Sequence, residues 1–305
     1  MLYGVIDIGS NTIRLAVYEV NDRSIQALFS KKSTAGLASY VNKAGALSQK
    51  GINKAVCVLN EFKPILNNIS LEKLFVFATA SLRNITNSQQ AIKEIYERTE
   101  FDIDLVSGEQ EGIYDFAGVC AQTSLDTGLL VDIGGGSTEL VMYCEGRVVK
   151  SVSIPIGSLN LYKKFVKEIF PSQTEIKGMI KHIMKELDTV EITQGYPLIC
   201  GVGGTVRAAW QLNSQMFDLL PDCNKIYFKE LNKIISLFFN DTKTMSKKML
   251  KIAPERIHTI LPGMLILNEV GKKYSSDAIC ISSFGVREGY LYTKLFSEGD
   301  VYEER

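Results

Sequence analysis

Two stretches of this chain carry the residues best suited to handle phosphate. Residues 5–15 read V-I-D-I-G-S-N-T-I-R-L, and residues 131–140 read V-D-I-G-G-G-S-T-E-L. Each is an apolar run ending in an Asp, followed by a tight turn of small and hydroxyl residues. The first offers Asp7, Gly9, Ser10, Asn11 and Thr12; the second offers Asp132, Gly134, Gly135, Gly136, Ser137 and Thr138. An Asp at a strand end can hold a cation or its water. Glycine has no Cβ and lets backbone N–H groups approach a phosphate closely. Asp residues held near a phosphate suit Mg²⁺, a hard ion that prefers oxygen ligands and retains waters. Glu139, directly after the second loop, is placed to support the metal. One such loop could be a tight turn whose Asp satisfies backbone donors. Two with matched flanks point to a duplicated fold whose loops serve one phosphate site.

Three further segments carry chemistry. Val106-Ser107-Gly108-Glu109-Gln110-Glu111 joins a strand end to a helix start. Acids in a first helical turn are favoured by the helix dipole alone, yet strand ends of this kind are where doubly wound sheets build sites. A carboxylate here could deprotonate a water attacking phosphorus. Gly201-Val202-Gly203-Gly204-Thr205 ends a strand and opens a helix, whose free N–H groups favour an anion. Arg83 and Arg256 are phosphate candidates, with structural ion pairing as the alternative; Arg207 either adds charge or covers the helix surface. Lys243, Lys247, Lys248, Lys251 and Arg256 form a basic stretch, read either as a solvated helix face or as a positive lip guiding a polyanion.

The spacing of the elements that position these residues supports duplication. The strand-like run 75–80 begins 68 residues after Asp7, and the run 198–201 begins 66 residues after Asp132. Two β-type runs follow each Asp loop: 13–20 and 24–30, turning at Asn21-Asp22, then 139–144 and 147–154, turning at Glu145-Gly146. Runs 103–106 and 278–282 close the halves. Helical periodicity is expected at 49–67, 88–99, 110–121, 158–165, 174–190, 205–213, 228–239 and 260–274, with Ser48 and Ser172 as start signals. The expected fold class is α/β: two similar domains with a cleft between them, 1–125 and 126–305, the last helix being able to pack back on the first domain.

Composition excludes several classes. With 34 basic and 34 acidic residues the charge is balanced, which argues against a general nucleic-acid binder. No run approaches a membrane span, and the N-terminus lacks the basic start of a secretory signal. The six cysteines show no C-x-x-C pair and are expected to be reduced and buried, as in a cytoplasmic protein. His182 and His258, the only histidines, lie in different segments and make a His-based zinc site improbable. The charged end, 299–305, is expected to fray.

At this point a resemblance becomes specific. The architecture is similar to the actin, sugar kinase and Hsp70 superfamily, built on ribonuclease H-like domains. Within it the chain resembles the exopolyphosphatase and guanosine pentaphosphate phosphohydrolase family in its short, two-domain form. The matching stretches are DIGSNTIRL (7–15), ATASLR (78–83), SGEQEG (107–112), DIGGGSTEL (132–140), SIPIGSLNL (153–161), GVGGTVRAA (201–209), ERIHTILPGMLIL (255–267) and GVREGYLY (285–292). They run in family order over nearly the whole chain.

The resemblance implies a catalytic base at Glu111. It also implies Mg²⁺ held by Asp132 and Glu139 with Asp7, and phosphate cradled by Ser10, Asn11 and Thr12, by Gly134 through Thr138, and by Gly203, Gly204 and Thr205. Arg83 and Arg256 fall where the family turns arginines toward the polyanion. One departure stands out: many members have two adjacent glutamates here, and the first of the pair is Gln110. The implied reaction is Mg²⁺-dependent removal of the terminal phosphate of inorganic polyphosphate, with guanosine pentaphosphate as the alternative substrate and a homodimer as the family's assembly. A superfamily kinase, a non-catalytic sensor of guanosine tetraphosphate or polyphosphate, and an actin-like filament are the rival classes; Gln110 keeps the sensor open.

Overall fold

A computed structural model describes residues 1–191, 194–219 and 224–296. The chain opens with strands β1 (Leu2–Ile8), β2 (Thr12–Asn21) and β3 (Ser24–Thr34), then helices α1 (Gln49–Asn60) and α2 (Lys63–Leu66). It continues with β4 (Lys73–Ala78), α3 (Ala80–Arg83), α4 (Ser88–Thr99), β5 (Asp104–Leu105) and α5 (Gly108–Cys120). The plan then repeats with β6 (Gly128–Ile133), β7 (Thr138–Cys144), β8 (Arg147–Ile154), α6 (Ser158–Phe165), α7 (Gln173–Leu187), β9 (Leu198–Val202) and α8 (Gly203–Phe217). It ends with β10 (Lys225–Tyr227), α9 (Phe228–Asn240), α10 (Thr242–Ile252), α11 (Ile260–Lys273), β11 (Ala278–Ile281) and α12 (Val286–Phe296).

Two compact units result, residues 1–121 with 286–305, and residues 122–285. The expected boundary after 125 lies four residues further along than the observed division after 121, and the last helix belongs to the first unit. In that unit the sheet order is β3-β2-β1-β4-β5; in the second it is β10-β11-β9-β6-β7-β8. Each therefore contains an antiparallel hairpin pair leading into parallel strands, β1 against β4 and β6 against β9. Among the described residues the second sheet has one strand more, β10, which lies antiparallel to β11 at the edge opposite β8.

Side-chain alternation sorts the faces. In β1, Ile6 and Ile8 join the core under α1 and α4, while Val5 joins the core that holds Tyr290 and Leu291 of α12. Asp7 shares the Val5 face. Gly289 allows α12 to lie against α5, since a Cβ there would collide with the carbonyl oxygen of Tyr114. Tyr290 then stacks on Phe77 at 4.6 Å and donates its hydroxyl to Asp104 Oδ2 at 2.9 Å.

The helix expected at 49–67 is two helices, α1 and α2. The chain turns at Glu61-Phe62, and Pro64 sits in the first turn of the second, where its missing N–H is no loss. Ser48 and Ser172 do cap their helices, accepting from Gly51 N and Glu175 N. Strand β10 was not among the expected segments, whereas α10 carries the basic stretch read as a helix face and α12 is the last helix expected to be able to pack on the first domain. The cysteines require a correction. Among the described residues Cys57, Cys120 and Cys144 are exposed, Cys280 is partly so and Cys200 is buried, and none of the five forms a disulfide. On α1 the buried stripe is Ile52, Ala55, Val56 and Leu59, and Cys57 points away from it. Cys223 and the tail expected to fray lie outside the described residues. Among the described residues no helix is long and apolar enough to cross a membrane.

Candidate functional site

Both candidate phosphate loops are hairpin turns closed by the same bond. Gly9 N donates to Thr12 O at 3.0 Å, and Gly134 N donates to Ser137 O at 2.9 Å. In both, the loop carbonyls are tied back into the protein. In the first unit, Ala35 N and Gly36 N donate to Asn11 O at 3.0 and 2.9 Å, and Ala38 N donates to Ser10 O at 3.0 Å. In the second, the start of α6 does this work. Ser158 N donates to Gly134 O at 2.9 Å, Leu159 N and Asn160 N donate to Gly135 O at 3.1 and 3.0 Å, and Asn160 Nδ2 donates to Gly136 O at 2.9 Å. The amides of α6 are thus spent on the loop rather than on an anion. Among the described residues no acceptor takes the amides of Ser10, Asn11, Gly135, Gly136 or Ser137. Such amides are ready-made donors for phosphate oxygens.

The hydroxyls divide differently. Thr205 Oγ1 donates to Ile133 O at 2.8 Å, and Thr138 Oγ1 donates to Ile156 O at 2.6 Å. Ser81 Oγ donates to Ile8 O, which makes it the counterpart of Thr205 in the first unit. Thr138 and Thr205 were expected to cradle phosphate. Their hydroxyl protons go to the carbonyl of Ile156, in the loop after β8, and to that of Ile133, at the end of β6, which ties the loops in place. Ser137 keeps its side chain at a buried position, 3% exposed, within the second loop.

The acidic residues sit on facing positions. Asp132 is directly opposite Glu139 across β6 and β7, so both carboxylates lie on one face of the sheet, and both are buried. Ser153 Oγ donates to Glu139 Oε1 at 2.7 Å. Asp132 also lies over Gly203, which has φ 82°; a Cβ at that glycine would collide with Asp132 Oδ1. Gly203 therefore serves twice, by taking a left-handed conformation and by leaving room for the carboxylate. Arg256, in the short turn Pro254–Arg256, is packed against Gly204, where a Cβ would collide with Nη2. The start of α8 thus has a carboxylate and a guanidinium beside it.

Asp7 has different company. The residue facing it is Arg14, and Arg287 Nε lies 4.0 Å from Asp7 Oδ2. Arg287 Nη2 is also 4.0 Å from Glu288 Oε1, which accepts the Tyr18 hydroxyl at 2.6 Å. Burial pushes the Tyr18 hydroxyl well above its ordinary pKa; the Glu288 carboxylate adds to the shift, and Arg287 and Arg14 oppose it. The sequence reading passed over Glu288. It holds the place in Gly285-Val286-Arg287-Glu288-Gly289 that Glu111 holds in Gly108-Glu109-Gln110-Glu111-Gly112, and that internal match was the signal for it.

Glu111 is buried in the first turn of α5, and Arg83 Nη1 donates both to Glu111 Oε2 and to Val106 O, each at 2.9 Å. Through Nη1, Arg83 thus ties the Glu111 carboxylate to the carbonyl of Val106. Arg207, its counterpart after β9, reaches Ser282 O and Ser283 O at 3.4 Å. Gln110 completes a capping box: Gln110 N donates to Ser107 Oγ and Ser107 N donates to Gln110 Oε1, both at 3.1 Å. A glutamine serves that role as well as a glutamate, so the departure at 110 falls on a helix cap, with the side chain exposed.

Among the described residues no group of three or more His, Cys, Asp or Glu side chains could enclose a metal ion by itself. Asp132 and Glu139 nevertheless fit Mg²⁺. They are two hard oxygen donors held on one face, and Mg²⁺ commonly takes one or two carboxylates and completes its shell with waters and substrate phosphate.

The repeated strand order and paired loops define a two-domain, actin-like protein. The chain belongs to the Ppx/GppA phosphatase family, whose model matches residues 16–298. It is 29% identical over 299 residues to a bifunctional 3-dehydroquinate synthase/phosphatase of Fusobacterium nucleatum, covering 91% of this chain but only 44% of that protein. It is 25% identical over 309 residues to exopolyphosphatase 1 of Mycobacterium tuberculosis, covering 98% of this chain and 90% of that protein. The crystal structure of the Aquifex aeolicus Ppx/GppA family member matches with a TM-score of 0.80 at 26% identity, covering 98% of this chain and 99% of the other.

Proposed function

We propose that this protein is a Mg²⁺-dependent phosphohydrolase that removes the terminal phosphate of inorganic polyphosphate. The observation that carries the reading is Glu111, a buried carboxylate fixed by Arg83 at the start of α5. Water attacks the terminal phosphorus. Its proton passes to Glu111, the bond to the bridging oxygen breaks, and orthophosphate leaves. Loop amides that no protein acceptor uses donate to phosphate oxygens, acting as donors preorganised for developing charge. Asp132 and Glu139 would hold Mg²⁺, which supplies charge neutralisation to the phosphate oxygens when bound. Similarity to an exopolyphosphatase over nearly the full length of both chains supports the choice of substrate.

The test is orthophosphate release by the purified protein from long-chain polyphosphate, guanosine pentaphosphate and ATP, with and without Mg²⁺. The expected result is metal-dependent release from polyphosphate, weak on ATP, and lost in Glu111→Gln. Preference for guanosine pentaphosphate would move the function to alarmone hydrolysis, and absence of release from all three would contradict the proposal.

A further inference from the structure

Helix α10 (Thr242–Ile252) carries Lys243, Lys247 and Lys251 at four-residue intervals, all exposed. Met245 and Met249 bury the opposite face at 1% and 0% exposure. With a rise of 1.5 Å per residue, the three ammonium groups are carried about 6 Å apart along one stripe. The helix itself contains no acid. Asp241, at its start, is committed to the cap, accepting from Thr244 N at 3.2 Å. Among the described residues none of the three lysines makes an ion pair. Three like charges in line, set against one capping carboxylate, raise the local potential and cost the fold rather than stabilise it.

The stripe also has a direction. From Lys251 the chain passes through Ala253 into the turn Pro254–Arg256, which delivers Arg256 to Gly204 at the start of α8, beside Asp132. The five residues from Lys251 to Arg256 span at most about 18 Å. A line of cations therefore leads, within one unit, to the turn that holds a guanidinium and a carboxylate at a helix N-terminus. Lysine is a mobile point charge with three donors. It suits a flexible chain with a charge on every unit better than a rigid, directional ligand.

We propose that Lys243, Lys247 and Lys251 form a subsite for the distal phosphates of a linear polyphosphate chain, so that long chains are held more tightly than short ones. This rests on the phosphohydrolase reading above. The test is a binding titration of intact protein against long-chain polyphosphate and against tripolyphosphate at several salt concentrations, alongside orthophosphate release. The variants are the triple Lys→Gln substitution (K243Q, K247Q, K251Q) and the triple Lys→Arg substitution at the same positions. The Gln variant is expected to bind long chains about 10-fold more weakly or worse. Its dependence of log affinity on log salt should be shallower by about 2, near 0.7 for each phosphate that a lysine no longer neutralises. Tripolyphosphate affinity is expected to hold, and the Arg variant to retain long-chain binding.

Unchanged long-chain affinity and salt slope in the Gln variant would overturn the subsite while leaving hydrolysis intact. Equal weakening for both ligands would also overturn it, as would single-stranded nucleic acid binding the stripe as tightly as polyphosphate. Lysine-dependent binding of long chains without any orthophosphate release would keep the subsite and sink the hydrolase reading. A wild-type protein that binds no polyphosphate would end both.

Discussion

In the first unit the residue facing Asp7 across the hairpin is Arg14; in the second the residue facing Asp132 is Glu139. The loops between them are otherwise built alike, with the same closing bond, the same tying back of carbonyls, and a hydroxyl from the next helix on the strand-end carbonyl. Duplication has therefore kept the backbone device that frees amides for phosphate and has changed the charge around it. Asp7 sits among guanidinium groups, with Arg287 adding to Arg14. Asp132 shares a buried face with a second carboxylate, Glu139, and sits at the start of α8, where Arg256 is also packed.

The largest effect expected from this comparison concerns the two glutamates at matching places, Glu111 and Glu288. Glu111→Gln is expected to lower kcat by about 10²–10⁴, the range for losing a general base, and, because it removes the buried charge paired with Arg83, to lower Tm as well. Glu288→Gln is expected to lower Tm alone. It weakens the acceptor of the Tyr18 hydroxyl and should cost about 1–2 kcal/mol, a few degrees in Tm for a protein of this size, while turnover by the folded protein persists. Steady-state kinetics and thermal melts on both variants check this. Equal loss of turnover in the two would erase the distinction between them.

A smaller effect separates the units at alkaline pH. In the first, burial, followed by the Asp104 carboxylate, raises Tyr290 strongly, and burial, followed by Glu288, raises Tyr18 well above the usual range. In the second, burial, with Tyr196 adding, pushes Tyr274 up to about 12. A tyrosine with a raised folded pKa gives its full contribution below the unfolded value of about 10 and loses it as pH rises from there toward the folded value. Hydrogen exchange at increasing pH above about 10 is therefore expected to show α12 and its neighbouring strands opening before the sheet around Tyr274. Tyr290→Phe should remove much of that difference. Earlier opening around Tyr274 would contradict the assignment.

Much of this was legible in the sequence, for reasons that can be stated. The loops were visible because Gly, Asp and hydroxyl residues at fixed spacing have few alternative uses, and the strands after them because their turns, Asn21-Asp22 and Glu145-Gly146, take positive φ at Asp22, Glu145 and Gly146. The capping role of Gln110 was hidden, since glutamine and glutamate cap alike. Arg83 reaching Glu111 depends on two segments 28 residues apart meeting in space, which periodicity does not encode. The hydroxyls of Thr138 and Thr205 find acceptors 18 and 72 residues away, which position in the sequence does not encode. Cys57 looked buried because its sequence neighbours are apolar, although helical geometry turns it outward.

The most direct test of the contrast between the two hairpins is Mn²⁺ binding, as a spin-active substitute for Mg²⁺, followed by electron paramagnetic resonance in the presence of orthophosphate. The wild type and Asp7→Asn are expected to bind the ion alike, while Asp132→Asn and Glu139→Gln each lose about 10-fold or more in affinity as a charged ligand is removed. Binding that survives Asp132→Asn and Glu139→Gln but disappears in Asp7→Asn would contradict the account.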